Sequence, residues 1–177
     1  MIRGKNVNLR YIYEGDLGTL ITLMQEVQLI GDYMNSDISS PQMLRKSFYE
    51  TGFSGEQAER LLVTDHENNI LGMVWHFKSV PYFDAREIGY ILYARQQAKQ
   101  GIMSEAVQLL VNFLFESRNI NRLEIRANVA NVASRALAKK CGFVEEGIAR
   151  QAEFMRGKHA DMAVSSMLRS EWLATFD

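Results

Sequence analysis

The sequence predicts a mixed α/β (α+β) fold: one domain over residues 1–177 with a mainly antiparallel sheet and helices on both faces. Three observations carry this. Apolar residues alternate with a period of two in several short stretches, and recur at three- and four-residue spacing in others. The strand-like stretches come in groups joined by turns instead of alternating one for one with helices, which favours antiparallel pairing. The chain has 177 residues, 47% of them apolar, and at roughly 100–200 residues per domain that is one unit with its own core.

Val7, Leu9, Tyr11 and Tyr13 alternate from Asn6 to Tyr13 as a half-buried strand. Leu17, Leu20, Ile21, Met24, Val27 and Gln28 then follow helical spacing, with Gly31 as a stop. Ser40 before Pro41 marks the next helix, a capping hydroxyl followed by a residue whose missing N–H costs nothing at the first position; it should run to about Thr51. Glu56-Gln57-Ala58-Glu59-Arg60 are good helix formers and predict a short helical piece over Gly55–Leu62. Leu61–Thr64 and Ile70–Lys78, joined through His66-Glu67-Asn68-Asn69, form a hairpin. Pro81 sits in the connection to a strand over Arg86–Tyr93, with Ile88, Tyr90 and Leu92 on one side.

From Ser104 to Arg118 the polar residues fall on a narrow stripe (Ser104, Gln108, Asn112, Glu116), so this helix is covered on most sides. Leu123, Ile125 and Ala127 alternate as a strand. Asn131–Lys140 is a short helix stopped by Cys141-Gly142. Phe143–Ile148 and Ala160–Leu168 complete the set as two strands.

Twenty basic and 21 acidic side chains leave a net charge of −1. No global field exists to hold nucleic acid or an anionic membrane, so an anion site has to be built locally. The single cysteine, Cys141, excludes an intrachain disulfide and suits a reducing compartment. The start MIRGKNVNLRY lacks a signal-peptide pattern and no stretch approaches 18 apolar residues, which makes a cytoplasmic protein the expectation. There is no G-x-G-x-x-G after a strand, no G-x-x-x-x-G-K-[ST], no H-E-x-x-H and no G-x-S-x-G. His66, His76 and His159 lack ligand spacing, so no metal is expected.

Ala98-Lys99-Gln100-Gly101-Ile102-Met103-Ser104-Glu105-Ala106 is the informative stretch, because a strand ends before it and the long helix begins inside it. Successive N–H groups there, with the helix dipole, suit phosphate oxygens; a plain strand-to-helix loop is the alternative. Together with Glu87-Ile88-Gly89-Tyr90-Ile91-Leu92, Asn131-x-x-Ser134, Gly142-Phe143, Glu146-Gly147, and Gly157 with Asp161, this segment resembles the GNAT superfamily of N-acetyltransferases, and within it the branch of ribosomal-protein alanine/serine N-terminal acetyltransferases. Order and spacing agree from about Asn6 to Trp172.

The resemblance implies a central splay between the strand ending near Tyr93 and its neighbour at Ala127–Val129. The pantetheine arm of acetyl-CoA, the co-substrate, would enter there. It assigns cofactor contacts to the strand edge at Ile91 and Leu92, to the loop at Lys99, Gln100, Gly101, Ile102, Met103 and Ser104, and to Asn131 and Ser134. The loop departs from the family, which places Gln or Arg three residues before the glycine and a small residue beside it; here stand Ala98, Lys99 and Gln100, and Gln97 fits only with a one-residue shift.

Acetyl transfer needs a neutral amine. At pH 7 an α-amine costs about 1 kcal/mol to deprotonate and a lysine about 4.6 kcal/mol, so an N-terminal acceptor needs only a modest base. Glu153 matches the glutamate that the resembled branch uses at the substrate mouth, and an ion pair with Arg150 or Arg156 is its structural alternative. Glu87 is the second candidate. Ser134 would protonate the departing thiolate, although Asn131 and Ser134 also suit a helix cap. Cys141, Tyr90 and Tyr93 read as packing residues. Trp75, Phe77, Tyr33 and Phe48 could line the acceptor pocket, and Arg135, Lys139 or Lys140 could meet the 3′-phosphate. The acceptor is a protein N-terminus or a small amine such as a polyamine, amino-sugar antibiotic or amino acid, with a non-catalytic acyl-CoA-binding module as the competing reading. Homodimers are common in the resembled family.

Overall fold

The computed structural model describes residues 1–26, 29, 31–34, 39–78, 80 and 83–176; the expectations for Val27, Gln28 and Pro81 lie outside the described residues. In chain order the elements are β1 (Ile2–Arg3), β2 (Asn8–Arg10), α1 (Leu17–Gln25), α2 (Pro41–Thr51), β3 (Ala58–Thr64), β4 (Ile70–Phe77), β5 (Ala85–Leu92), α3 (Ile102–Ser117), β6 (Arg122–Asn128), α4 (Val132–Lys140), β7 (Val144–Met155), β8 (Lys158–Leu168) and α5 (Arg169–Leu173), with single 3-10 turns at Glu14–Asp16 and Arg95–Gln97. The eight strands form one sheet in the order β1-β2-β3-β4-β5-β6-β8-β7. Every pairing in it is antiparallel except β5 with β6.

Because strand side chains alternate between faces, the sheet builds two cores. On one face Leu61, Val63, Val74, Ile88, Leu123 and Ile125 pack under α3, with Ala138 of α4 and Trp172 of α5 beside them. On the other, Leu62 and Met73 meet Leu17, Leu20 and Ile21 of α1 and Leu44 of α2. Helix α3 buries Ala106, Val107, Leu110 and Leu114 completely, in keeping with its narrow polar stripe. The capping expectations for α2 hold: Ser40 Oγ accepts from Met43 N at 3.2 Å, and Gly52 ends the helix in the left-handed region at φ 63°.

Gly55–Leu62 is not helical. Residues from Ala58 onward pair with β4 (Ala58↔Phe77, Glu59↔His76, Leu61↔Val74), and the alternation that decides it places Glu59 on the inner face beside Leu61 and Val63. Buried there, Glu59 accepts from Arg118 and lies 3.2 Å from His76 Nε2. Partners distant in sequence override the local helix propensity. The first strand is shorter than Asn6–Tyr13, with Tyr11 and Tyr13 exposed. Arg10 is 2% exposed and turns the chain into α1 through a two-point ion pair with Asp16 (2.7 and 2.9 Å). Strand β7 runs on to Met155, and β1 and α5 carry too few residues for a periodic signal.

Leu110→Ala should cost about 2–5 kcal/mol of unfolding free energy in urea titration, because the void lies between α3 and the sheet with no solvent-facing side to collapse from.

Candidate active site

The parallel contact between β5 and β6 is short. It comprises Ala85↔Arg122, Arg86↔Leu123 and Glu87↔Glu124, then stops, although β5 continues to Leu92 and β6 to Asn128. The expected splay is therefore present, and Ile91 and Leu92 lie on its open stretch. The opposite edge of β5 is held by β4 up to Gly72↔Leu92. Two glycines permit that close fit: a Cβ on Gly72 would strike the Ile91 carbonyl, and one on Gly89 would strike the Trp75 ring.

At the end of the opening, the turn Arg95–Gln97 leads to Lys99 (φ 66°) and Gly101 (φ 85°), which is the N-cap of α3. Lys99 thus takes up the left-handed conformation in the loop that departs from the family pattern. The first amide of α3 to find a backbone acceptor is Glu105 N, on Gly101 O at 2.9 Å; among the described residues the N–H groups of Ile102, Met103 and Ser104 have none. Side chains of Ile102 and Met103 are buried in the core, so only their backbone is free to meet a ligand. Lys99 and Gln100 are exposed. Glu105 accepts from Asn6 N and Nδ2, both at 2.8 Å, and so anchors this first turn against the β1–β2 connection.

Glu87 is the last residue of β5 to pair with β6, at the root of the splay and on the α1/α2 face. Arg126 Nε lies 3.4 Å from its carboxylate. Burial nevertheless dominates and, with Glu124 and Glu153 adding negative charge, pushes the Glu87 carboxyl up to about 7. Glu153 is therefore near enough to act on Glu87 electrostatically. The ion pairs with Arg150 or Arg156 considered for Glu153 are not formed; among the described residues it has no such partner. A register shift between Ala149 and Glu153 sets it opposite Ala160. Gln151 sits there at φ 50° with its N–H on Asp161 Oδ1 at 2.8 Å.

Trp75 and Phe77 are cross-strand neighbours of Gly89 and Glu87 on this face, whereas Phe48 packs against Phe53 and Tyr49. Tyr33 lines a groove of about 740 Å³ together with Asp32, Asn128, Val129, Arg156, Lys158, His159 and Asp161. Arg156 Nη2, from the lining of that groove, donates to the Gly31 carbonyl at 2.7 Å, and Arg95 Nη2 donates to the Leu29 carbonyl at 2.9 Å.

Across the sheet, Asn131 Oδ1 caps α4 by accepting from Ser134 N at 3.1 Å. Ser134 Oγ lies 2.7 Å from Tyr90 Oη. Packing explains the Tyr90 ring but not this contact, for which the Glu87–Leu92 alternation offers no sign. Burial raises the Tyr90 phenol to about 12. Tyr93 is a core residue, as expected, also raised to about 12 by burial. Cys141 is buried, its thiol pushed to about 11 by burial and its Sγ 3.5 Å from Ser104 O. Arg135 is occupied by Glu145 (2.9 Å) and Val129 O, while Lys139 and Lys140 occupy the last turn of α4.

A parallel pair that opens onto a glycine-capped helix, with carboxylates on one face and a hydroxyl pair on the other, defines an acyltransferase-type domain. Residues 6–144 match the Acetyltransferase (GNAT) domain model, and the chain belongs to that family. It is 40% identical over 86 residues to YdaF of Bacillus subtilis (strain 168), provisionally named a ribosomal N-acetyltransferase; that match covers 49% of this chain and about half, 46%, of that protein. The structure of spermidine N-acetyltransferase from Vibrio cholerae in complex with CoA and spermine superposes with a TM-score of 0.82 at 22% identity, covering 95% of this chain and 98% of the other. RimL, a ribosomal L7/L12 alpha-N-protein acetyltransferase solved with CoA, superposes with a TM-score of 0.82 at 25% identity, over 93% and 95% of the two chains.

Since the folded state holds the Glu87 proton more tightly than the unfolded chain, this group stabilises less and less as pH rises from about 4.5 to about 7. Compared in urea at pH 5 and pH 8, wild type should lose on the order of 2 kcal/mol relative to Glu87→Gln, which has no proton to release.

Proposed function

We propose that residues 1–177 act as one acetyl-CoA-dependent N-acetyltransferase domain that moves acetyl directly onto a primary amine, the α-amine of a protein N-terminus. The observation that carries this reading is the opening between β5 and β6, with Glu87 and Glu153 toward one face and Ser134 toward the other. An extended, amide-bearing arm laid along Ile91 and Leu92 would meet the unpaired edge of β5. Its diphosphate would meet the loop at Lys99, Gln100 and Gly101 and the free N–H groups of Ile102, Met103 and Ser104, an anion site that needs little net charge. Asn131 and Ser134 would border the thioester end.

The amine nitrogen attacks the thioester carbonyl carbon, and the carbonyl π pair moves to oxygen. Glu153 takes the proton that the nitrogen gives up, with Glu87 the second carboxylate beside it. Collapse of the tetrahedral species re-forms the carbonyl and breaks the C–S bond, the electron pair leaving on sulfur, where the Ser134 hydroxyl donates. A protein N-terminus is preferred over a polyamine because the groove is lined by Arg156 and Lys158 as well as by Asp32 and Asp161. A strongly cationic acceptor would call for a one-sided acidic mouth. The cytoplasm is the proposed setting, a reducing compartment in which the single buried Cys141 needs no partner.

Thiol release from acetyl-CoA against N-terminal peptides and small amines tests the reading. Turnover should be highest on peptides and weak on spermidine; preference for spermidine would shift the assignment to small amines, and tight CoA binding without turnover on any acceptor would make the chain a non-catalytic binder. Glu153→Gln should lower kcat by about 10²-fold, and full activity across pH 6–9 would remove Glu153 as the base. In calorimetry, Gly101→Asp should abolish CoA binding, because it brings negative charge to the diphosphate and strains a backbone held at φ 85° even though no protein atom lies within 4 Å; Lys99→Glu, which keeps the glycine, should weaken binding by charge alone, with circular dichroism checking the fold of both.

A further inference from the structure

We infer that Tyr90 is a positioning residue for acetyl transfer: its phenol donates to Ser134 Oγ and leaves the seryl proton free to face the departing sulfur. The inference rests on the reading of Ser134 as the thiolate's hydrogen-bond donor and assigns that donor its orientation.

A serine hydroxyl near a helix end ordinarily turns back to a carbonyl one turn earlier, which consumes its proton. Ser134 does not. Its Oγ lies 2.7 Å from Tyr90 Oη, and the same phenolic proton also reaches Ser134 O, the longer arm of a three-centre bond at 3.3 Å. Ser134 N is committed to Asn131 Oδ1, and Ala130 O, one turn back, already accepts from Val132 N at 3.0 Å. Between a phenol and an aliphatic alcohol, the phenol is the stronger acid and the alcohol oxygen the better acceptor. On this ground, and because the hydroxyl at 2.7 Å is closer than the carbonyl at 3.3 Å, the shared proton is assigned to Tyr90, which leaves Ser134 its own for a third atom.

Tyr90 comes from the open stretch of β5, one residue before Ile91, and its ring packs against the α3-side core. The strand that would hold the pantetheine thus also carries the group that orients the seryl proton. When the C–S bond breaks and the electron pair stays on sulfur, Ser134 O–H hydrogen-bonds to that sulfur without losing its proton. The thiolate takes a proton from water on release. Tyr90 stays neutral throughout.

Steady-state rates of Tyr90→Phe, Ser134→Ala and the double variant, with acetyl-CoA and the best peptide acceptor, test this. Tyr90→Phe should lower kcat by about 10-fold with the KM for acetyl-CoA within about 2-fold of wild type, and the double variant should be no slower than Ser134→Ala. An unchanged kcat in Tyr90→Phe, or losses that multiply in the double variant, overturns the inference while leaving Ser134 in its role. A wild-type rate in Ser134→Ala overturns the reading beneath it. Trifluorotyrosine introduced at position 90 keeps the ring and makes the phenol more acidic, which separates orientation from packing. Its kcat should fall with pH as that phenol ionises, in a limb absent from wild type, and a profile without that limb overturns the inference even if Tyr90→Phe fails to fold.

Discussion

Strands β5 and β6 are each held along their outer edges, while their facing edges pair over three residues and then part. β4 grips β5 through Gly72↔Leu92, while β8 pairs β6 from Arg122↔Leu168 to Asn128↔Met162. After Glu87↔Glu124 the two directions diverge. Backbone amides that lose a strand partner in a half-buried setting are costly unless another donor or acceptor arrives. The open edge thereby suits an extended chain with amide groups, and β5 leads from it to the glycine-capped N-terminus of α3.

The opening separates chemistry by face. Side-chain alternation along β5 puts Glu87 on the α1/α2 side and Tyr90 on the α3/α4 side, only three residues away. Glu87, whose charge burial disfavours, shares the first side with Glu124 and Glu153, and this is where the proposed reaction brings the amine. The Tyr90–Ser134 hydroxyl pair lies on the second, where the proposed reaction places the leaving sulfur. A one-residue slip of β5 would send Glu87 and Tyr90 to each other's faces, so the pairing of β4 with β5 fixes the sides of these two groups as well as the core.

Much of this is legible in the residues. Ser40-Pro41, Gly52, Asn131 and Gly142 are local signals whose physics lies within a few residues, and the helices they bound are where the sequence places them. The opening, by contrast, is read from resemblance, because nothing in Ile88–Leu92 says that a partner strand will veer away. Gly55–Leu62 misleads, since its helix formers include Glu59, whose partners His76 and Arg118 stand 17 and 59 residues off. Tyr90 escapes for the same reason. Its ring obeys the strand pattern, but the hydroxyl is explained only by Ser134, 44 residues later.

Strand β7 is the last in the sheet, with most of its 12 residues exposed and Val144, Ile148 and Phe154 facing solvent. A regular edge of that length would be a template on which other chains could stack. The register breaks at Glu145/Gly147 and Ala149/Glu153 interrupt it twice. The second break is the one that sets Glu153 opposite Ala160. Straightening it to sharpen pairing would move the carboxylate along the strand to lie opposite Lys158 and offer a longer regular ladder to aggregation, so colloidal behaviour and the place of this carboxylate are constrained by the same few residues.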